Sequence, residues 1–580
     1  MSKHPFAIWQ RLLESGGLMP IRIGTRSSNL AMWQARTVAS ALHEAGIETE
    51  IVQFKSMGDR SLGGNLSSSV GQFIHLIDQK LNEGLVDIAV HSSKDVPTTT
   101  DDTVACLAYM ERGVTSDLIL FKRESDDPSL YNVLDDETST SLSDLLDRIE
   151  HGSTFGTVSG RRQSLLLSRR PDLIPLSVRG HVETRIERLL EGRVDALVLA
   201  EAGIRRLRTT GVLDEHNEQL TACRISSEDW PTAPGQGTVC IHCKTNRFEE
   251  LSNLRRILNH AQTEADVIRE RTILDMSGGG CLYPAGIEAH GEHLMVRIAP
   301  KNWRTTFCAG REYSIFSYNG TFEDFELQLP HDETPPETEM VDGPKFISTL
   351  NSDRISTVLA NQGIGMTNLS VLDLKPNLDA WPRNFLSQYT SKRQWPYLVL
   401  TSPFSARCAI LAAESNPDIA RIKWVAIGEG TARACFQRGV TVAICAKARN
   451  SKEFFDYISS NIGTNTKLLL PRSSVAPETF ATQLKDAGYD VLDWIGYENQ
   501  AKKVEPTSVS PEDVLLISSS SSAISWAENG LKTPNEIICM GSNTRNTILS
   551  LEHFKNCNVS VLEGPTTEYL TQWWNQNRRG

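Results

Sequence analysis

The stretch VDIAVHSSKDVP, residues 86–97, joins a short β-rich run to a polar loop in which a lysine precedes a carboxylate. Units of this kind recur from Ile21 onward: β-rich runs are followed by polar or glycine-bearing loops, then by helical stretches with apolar residues three and four positions apart. This alternation predicts an α/β multidomain protein. Ligands of open α/β sheets bind beyond the carboxyl ends of strands, so the loops after the strands should hold the site.

The chain of 580 residues is too long for one hydrophobic core and predicts about three to five domains. Its apolar runs are strand-sized and too short to cross a bilayer. Arg11 and Glu14 interrupt what would be the apolar stretch of a signal peptide, so we expect a cytoplasmic protein. Eleven cysteines without regular spacing argue against a disulfide framework, and a net charge of −12 argues against a nucleic-acid partner.

The loop of residues 91–97 is the first candidate site. Asp95 is placed to hold or protonate a nitrogen-bearing substrate, while the adjacent Lys94 favours its ionised form. Serine and aspartate also favour helix N-caps and turns, so a purely structural role for the motif is the alternative.

Arginines form the second candidate site. Residues 161–208 contain eleven arginines, no lysine and six carboxylates. The motifs TVSGRRQ (157–163), VRGHVETR (178–185) and AGIRRL (202–207) bring several of these arginines close to strand ends, where bidentate carboxylate recognition is their best use. Nucleic-acid binding and solvated helix faces are the alternatives, and we favour such a role for Arg169, Arg170, Arg188 and Arg193, which lie away from loop starts.

Two cysteine motifs need separate interpretations. Cys281 follows three glycines in SGGGCLYPAG (277–286), where a covalent adduct could approach the backbone closely, although a lone cysteine is more often a small core residue. CIHC (240–243) resembles half of a zinc site but lacks a second pair. Because it continues a predicted strand, we predict no metal.

Taken together, IGTRSSNLAMWQA, HSSKDVPT, TVSGRRQ, RRPDL, VRGHVETR, APGQG and GGCLYPAG follow the order and approximate spacing of the porphobilinogen deaminase (hydroxymethylbilane synthase) family, which residues 20–326 resemble. The resemblance implies two domains like those of periplasmic binding proteins, at 20–113 with 221–241 and at 114–220. It also implies a small α+β domain at 242–326 that bears the cofactor cysteine.

This resemblance assigns roles to individual residues. Cys281 would hold a dipyrromethane cofactor through a thioether, and Asp95 would be the catalytic acid that supports loss of ammonia from porphobilinogen. Further positions would bind the carboxylates of cofactor and substrate: Ser92, Lys94, Ser159, Arg161, Arg162 and Arg185 for the cofactor, and Arg26, Ser28, Arg179 and Arg206 for the substrate. The chain departs from the family at Val70 and His75, where basic residues are common.

The second half is similar to the uroporphyrinogen-III synthase family through LVLTSPFSA, VAIGEGTARA, LLLPRSS, WIGYENQ, LLISSSSSA and ICMGSNTRN. Two α/β lobes are implied, at 345–380 with 503–580 and at 381–502. Tyr497 would assist departure of the substrate hydroxyl. The matching cleft positions are Thr401, Ser402, Thr431, Ser518, Ser519 and Thr544, for which strand-end capping is the alternative.

The implied function is bifunctional: four porphobilinogen molecules are joined to hydroxymethylbilane, which is then closed to uroporphyrinogen III with inversion of ring D. An inactive second half and an organic-anion binding protein are the competing interpretations. We expect a monomer with no membrane partner. Residues 327–344 are acidic and Pro-rich, which predicts an exposed linker whose cleavage leaves two soluble proteins.

Overall fold

The computed structural model describes residues 20–54, 72–98, 101–280, 283–330, 343–350, 353–505, 508–562 and 566–578. These residues form two compact units. The first unit comprises the described residues up to 301 together with 314–330, and the second comprises 302–313 and the described residues from 343 onward.

The first unit contains thirteen described strands: β1 (Ile21–Arg26), β2 (Thr49–Phe54), β3 (Ile88–Ser92), β4 (Val104–Tyr109), β5 (Asp117–Lys122), β6 (Thr154–Gly156), β7 (Ile174–Leu176), β8 (Ala196–Ala200), β9 (Leu220–Arg224), β10 (Val239–Lys244), β11 (Ala285–His290), β12 (His293–Ile298) and β13 (Phe316–Thr321). Its described helices are α1 (Asn29–Glu44), α2 (Gln72–Asn82), α3 (Leu130–Asp135), α4 (Leu142–Asp147), α5 (Gly160–Leu167), α6 (Val182–Leu190), α7 (Glu201–Arg208), α8 (Asp214–Asn217), α9 (Ser252–Leu258) and α10 (Ala261–Met276), with 3₁₀ turns at Ser93–Asp95 and Thr245–Arg247.

Three sheets organise this unit. The first has the order β2-β1-β3-β10-β4 and the second β7-β6-β8-β5-β9, and a smaller antiparallel sheet has the order β11-β12-β13. In the first sheet β10 runs antiparallel to both neighbours, as β5 does in the second. The chain leaves the first sheet after β4, builds the second, and returns to the first as β10.

Two predicted domain boundaries are wrong because each falls inside an observed strand. A boundary at 220/221 divides β9, which pairs with β5 in the second sheet. A boundary at 241/242 divides β10, which remains in the first sheet through Lys244. Composition could not locate either boundary, because both strands are continuous buried runs with no turn signal inside them.

Helix α1 shows how the sequence positions the site. The Ser28 side chain accepts a hydrogen bond from the Ala31 backbone N–H and caps the helix. Ala35, Val38 and Leu42 recur at three- and four-residue spacing and are fully buried against the first sheet. Packing of this face fixes the loop between β1 and α1 at the carboxyl end of β1.

The second unit begins with helix α11 (Trp303–Cys308). Its described strands are β14 (Lys345–Ser348), β15 (Gly365–Asn368), β16 (Leu372–Pro376), β17 (Tyr397–Leu400), β18 (Lys423–Ala426), β19 (Ile444–Cys445), β20 (Leu468–Ser473), β21 (Val491–Ala501), β22 (Val514–Ile517), β23 (Glu536–Cys539) and β24 (Asn558–Val561). Its other described helices are α12 (Asp353–Ala360), α13 (Pro403–Ser415), α14 (Pro417–Arg421), α15 (Glu429–Phe436), α16 (Ser451–Asn461), α17 (Thr479–Asp486), α18 (Ser520–Glu528), α19 (Ser542–Ser550) and α20 (Thr567–Arg578), with 3₁₀ turns at Leu378–Ala380, Leu386–Gln388, Lys392–Gln394 and Glu552–Phe554.

Two sheets form the second unit. The parallel sheet β15-β14-β22-β23-β24 has cores on both faces, around Trp526 and around Phe346. The other sheet, β16-β21-β20-β17-β18-β19, is parallel except for β16, and Phe454 lies in its core. Strand β16 therefore belongs with the residues predicted as the 381–502 lobe and not with 345–380. The prediction of a mixed α/β multidomain chain is confirmed. Among the described residues, no helix is long and apolar enough to cross a membrane.

Candidate functional site

The loop after β3 carries Lys94 and Asp95 in a 3₁₀ turn. Asp95 is exposed. Lys94 donates to the Gln236 side-chain oxygen at 3.1 Å, while Ser92 accepts from the Gln34 amide at 2.8 Å. Burial and the neighbouring Arg162 lower the pKa of Lys94 to about 8, and the negative charge of Asp95 partly opposes this change. The exposed carboxylate of Asp95 therefore follows Lys94, whose charged form is destabilised by burial and only partly stabilised by Asp95.

Several cations of the first unit affect the pKa of Arg185. Burial, followed by the charges of Arg162, Arg179 and Arg26, lowers the pKa of Arg185 to about 10, and Asp95 acts in the opposite direction. We call Arg26, Lys94, Arg162, Arg179 and Arg185 the cation cluster. Its members come from strand ends or following helices of both large sheets in the first unit. The repulsion that Lys94 and Arg185 experience from neighbouring guanidiniums predicts that an anion binds here.

Asp117 at the start of β5 holds two of the predicted arginines. Its carboxylate pairs with Arg161 and Arg162, each at 2.5 Å, and accepts from Gln236 at 2.9 Å and Trp230 at 3.1 Å. Burial by itself would raise the pKa of Asp117, but the two guanidiniums outweigh it and hold that pKa well below its ordinary value. Two cations against one carboxylate leave one positive charge in excess.

Sequence reasoning missed Asp117. The only signal was a carboxylate at the head of the apolar run DLILFK, a position where an unpaired charge would be costly. Its partners lie 44 and 45 residues away in the chain, so spacing could not reveal the pairing.

Three other predicted residues have clear local roles. Ser28 and Ser159 cap helices α1 and α5. Arg206 donates to the Gly237 carbonyl at 2.5 Å and lies 5.1 Å from the Trp33 ring centroid. Burial lowers the pKa of Arg206 to about 10. Its contacts are thus with α1 and with the loop that precedes β10, and it is not among the residues that act on Arg185.

Cys281 and Val70 lie outside the described residues, and His75 is exposed on α2. The chain just before the cysteine is described, however. A side chain at Gly279 would collide with the ring of Tyr283, so glycine is required there for packing.

CIHC forms part of β10, as predicted. Cys243 packs into the core beside Ile241, whereas Cys240 packs with Ile74 and Val96. The two cysteines therefore lie in different clusters.

His242 belongs to a buried group that the sequence did not reveal. The Asp78 carboxylate lies 2.9 Å from His91 Nε2 and 3.2 Å from His242 Nδ1. Burial lowers the pKa of His91, while Asp78 outweighs burial and raises that of His242. The two imidazoles hold the Asp78 pKa below its ordinary value. Three potential metal-ligand atoms meet here within 4.8 Å, and their mutual hydrogen bonds already balance the buried charge.

In the second unit, Tyr497 on β21 is 7% exposed. Its hydroxyl lies 3.1 Å from Ser402 Oγ, and its ring centroid is 5.0 Å from that of Phe404. Burial raises the pKa of Tyr497. Ser402 also caps α13 in a capping box with Ser405. The structure thus brings two predicted residues together, one of which already has a structural role.

The remaining predicted hydroxyls lie in loops that follow strands or in the first turn of a helix. Ser518 contacts Thr349 at 3.1 Å and Ser522 at 3.2 Å, and Ser519 caps α18. Thr431 and Thr544 are buried in α15 and α19, and Thr401 is half-buried after β17. Ser518 and Ser519 follow the parallel sheet, whereas Tyr497 and Ser402 belong to the other sheet of this unit.

Fold and site define a two-part α/β protein whose first part gathers cations around an exposed carboxylate. Residues 21–252 match the family model "Porphobilinogen deaminase, dipyromethane cofactor binding domain", and residues 353–572 match "Uroporphyrinogen-III synthase HemD".

Curated relatives agree with the first match. Porphobilinogen deaminase of Trichlorobacter lovleyi is 36% identical over 275 residues, covering 47% of this chain and 78% of the relative. A probable porphobilinogen deaminase of Methanocaldococcus jannaschii is 36% identical over 267 residues, covering 46% and 81%. Among solved structures, uroporphyrinogen-III synthetase of Helicobacter pylori covers 41% of this chain and 100% of its own at 15% identity, with a TM-score of 0.29.

The chain belongs to the porphobilinogen deaminase family, and its second half is a uroporphyrinogen-III synthase domain. The predicted bifunctional enzyme of tetrapyrrole biosynthesis is therefore confirmed at the level of its two domains. The matched cofactor-binding domain likewise confirms the predicted dipyrromethane.

Proposed function

We propose that the cation cluster and Asp95 form the deaminase active site, where four porphobilinogen molecules are joined with loss of ammonia. The observation that supports this best is that the charges of Arg162, Asp95, Arg179 and Arg26 all act on the pKa of Arg185. Porphobilinogen carries two carboxylates and one amine, so it needs several fixed cations and one carboxylate. Asp95 would support loss of ammonia and then stabilise the positive charge that develops on the substrate.

The dipyrromethane fits the residues present. It is rich in carboxylates, and Arg161 and Arg162 together carry one more charge than Asp117 can neutralise. Burial lowers the pKa of Arg161, and its Nε has no hydrogen-bond partner among the described residues. Ser92, Lys94, Ser159, Arg161, Arg162 and Arg185 are the residues proposed to hold the group. When bound through Cys281, it supplies the pyrrole end to which the first porphobilinogen is added.

Intact-mass measurement of the purified protein tests the attachment without relying on activity. The mass should exceed the sequence mass by one dipyrromethane, and Cys281→Ser should remove both this excess and deaminase activity. Cys557→Ser is the control, since Cys557 is a half-buried cysteine of the second unit. An unmodified protein with full activity would contradict the assignment.

For the second unit, we propose ring closure of hydroxymethylbilane to uroporphyrinogen III, with Tyr497 assisting departure of the hydroxyl. Thr401, Ser402, Thr431, Ser518, Ser519 and Thr544 are the proposed substrate contacts. Porphyrin isomer analysis decides between this proposal and an inactive module. An active synthase gives the type III product from porphobilinogen, whereas spontaneous closure gives type I.

Finer features are proposals of the same kind. The two large sheets of the first unit would act as lobes like those of periplasmic binding proteins, with an antiparallel strand in each. We further expect a cytoplasmic monomer whose partners are porphobilinogen and hydroxymethylbilane, without nucleic acid or membrane.

A further inference from the structure

Residues 302–313, which we call the anchor segment, connect two strands of one sheet but pack elsewhere. Strands β12 and β13 pair antiparallel in the first unit, and a short turn would suffice to join them. The chain instead leaves this unit at residue 301, forms α11 in the second unit, and returns at 314. A connection that belongs to another compact unit needs a physical reason.

Aromatic packing against α15 provides one. Trp303 is fully buried and Phe307 is 5% exposed. Their ring centroids lie 5.6 and 6.2 Å from that of Phe436, both edge-on, and Cys308 Sγ donates to the Arg433 carbonyl at 3.7 Å. Edge-to-face aromatic pairs in a buried setting are among the strongest contributions to interfaces.

Cations strengthen the same contact. The Arg304 guanidinium lies 4.7 Å from the Trp303 ring centroid and 5.4 Å from that of Phe436, and Arg433 lies 4.9 Å from that of Phe307. Burial lowers the pKa of Arg304 to about 10. A surface loop would leave this arginine in water, whereas here desolvation is offset in part by two aromatic faces.

The end of the anchor segment reaches a second helix. Gly310 has a φ of +78°, and a Cβ there would meet Val358 Cγ2 at 2.7 Å and the Arg354 carbonyl oxygen at 3.0 Å. Both neighbours belong to α12, which follows β14 of the parallel sheet, whereas α15 follows β18 of the other sheet. The anchor segment therefore contacts helices associated with both sheets of the synthase half.

We propose that the anchor segment is a binding element through which the deaminase half holds the synthase half, independently of the chain between residues 330 and 343. It is attached to the first unit at both ends and buried in the second. This proposal does not rest on either catalytic assignment. It also revises the expectation that cleavage of the 327–344 linker leaves separate proteins: we now expect the cleaved protein to stay together.

The experiment uses the folded full-length chain with a specific protease site introduced between residues 330 and 343. After cleavage, wild-type fragments should co-elute in size-exclusion chromatography at submicromolar concentration. Trp303→Ala combined with Phe307→Ala should weaken the association by about 100-fold or more, the effect expected for paired interface aromatics, and separate the fragments. Separation of the wild-type fragments would overturn the proposal, as would unchanged association in the double variant.

A matched control variant and an independent measurement distinguish loss of the contact from misfolding. Trp381→Ala removes another buried tryptophan of the second unit, whose ring centroid lies 5.1 Å from that of Trp494. This variant should leave the fragments associated. Should the double variant fail to fold, amide exchange on the cleaved wild-type protein decides. Residues 303–310 should keep the protection they have in the intact chain, and loss of that protection on cleavage would equally overturn the proposal.

Discussion

The two halves gather their candidate site residues in opposite ways. In the deaminase half the side chains are charged, and each cation needs a partner: Arg161 and Arg162 share Asp117, while Lys94 and Arg185 lie within the influence of Asp95. In the synthase half the candidates are hydroxyls, and Ser402 and Ser519 already cap helices. A charged site leaves unbalanced charge for a ligand to neutralise, whereas a hydroxyl site is largely satisfied before any ligand binds.

The difference predicts how single substitutions act. Removing a charge from the first half should either abolish chemistry or destabilise the fold, depending on whether the group is exposed or buried. Removing one hydroxyl from the second half should change selectivity modestly.

The largest effect is expected for Asp95→Ala. Deaminase turnover should fall by about 10²- to 10⁴-fold, the range for loss of a general acid, while the fold and the mass of the bound cofactor are retained. Asp102→Ala, another exposed loop aspartate, is the control and should keep normal turnover. Half of normal turnover in Asp95→Ala would make this residue merely structural.

Asp117→Asn should act on stability. It removes the buried counter-charge of two guanidiniums, so we expect a loss of about 3 to 5 kcal/mol in the free energy of unfolding, measured by urea denaturation. The matched control is Asp135→Asn, which breaks an exposed aspartate–arginine pair at 2.5 Å and should have little measurable effect. Equal stabilities of the two variants would contradict the structural role of Asp117.

The pH dependence of this pair has a definite sign. Because the folded-state pKa of Asp117 lies below its ordinary value of 3.8, its contribution is present above pH 4. That contribution is lost as pH falls below this value, since the unfolded chain then takes up the proton first. Asp117→Asn should therefore flatten the acid side of the stability profile.

Much of the site could be predicted because the residues with chemistry follow strands. HSSKD, SGRR and VRG each lie at or just after the carboxyl end of a strand, which is where ligands of open α/β sheets are expected to bind. Asp78, Asp117 and the two buried histidines could not be found this way. Their partners come from distant segments, and a charged residue inside an apolar run carries no local signal of its partner.

The domain limits show a second kind of failure. Composition placed the break between the halves at an acidic, Pro-rich stretch, yet residues 302–313 join the second unit from within a predicted deaminase domain. The apolar positions of this segment, Trp303 and Phe307, suit any buried helix. Which core they enter is decided by tertiary packing, and the sequence pattern alone does not specify it.

A smaller effect is expected from the pH dependence of Lys94. With a pKa of about 8, its charge is lost above that pH, whereas the pKa of Arg185 in the same cation cluster is about 10. If this charge contributes one ionic contact to the dipyrromethane, deaminase turnover should decline about tenfold as the charge is lost. Lys94→Arg keeps the charge and should shift this decline to higher pH, whereas an unchanged pH profile would show that another group controls it.

The smallest effect is expected for Tyr497→Phe, which deletes one hydroxyl that lies 3.1 Å from Ser402. One hydrogen bond is worth about 1 kcal/mol, so the rate of enzymatic ring closure should fall about fivefold and the type I fraction should rise. Because burial raises the pKa of Tyr497 above 10, the isomer ratio in the wild type should not change with pH up to that value. Tyr489→Phe is the matched control: its buried hydroxyl donates to the Ile458 and Ile462 carbonyls, so its loss should lower stability and leave the isomer ratio unchanged. If both variants change only stability, Tyr497 has no part in ring closure, and the hydroxyls of the second half serve the fold alone.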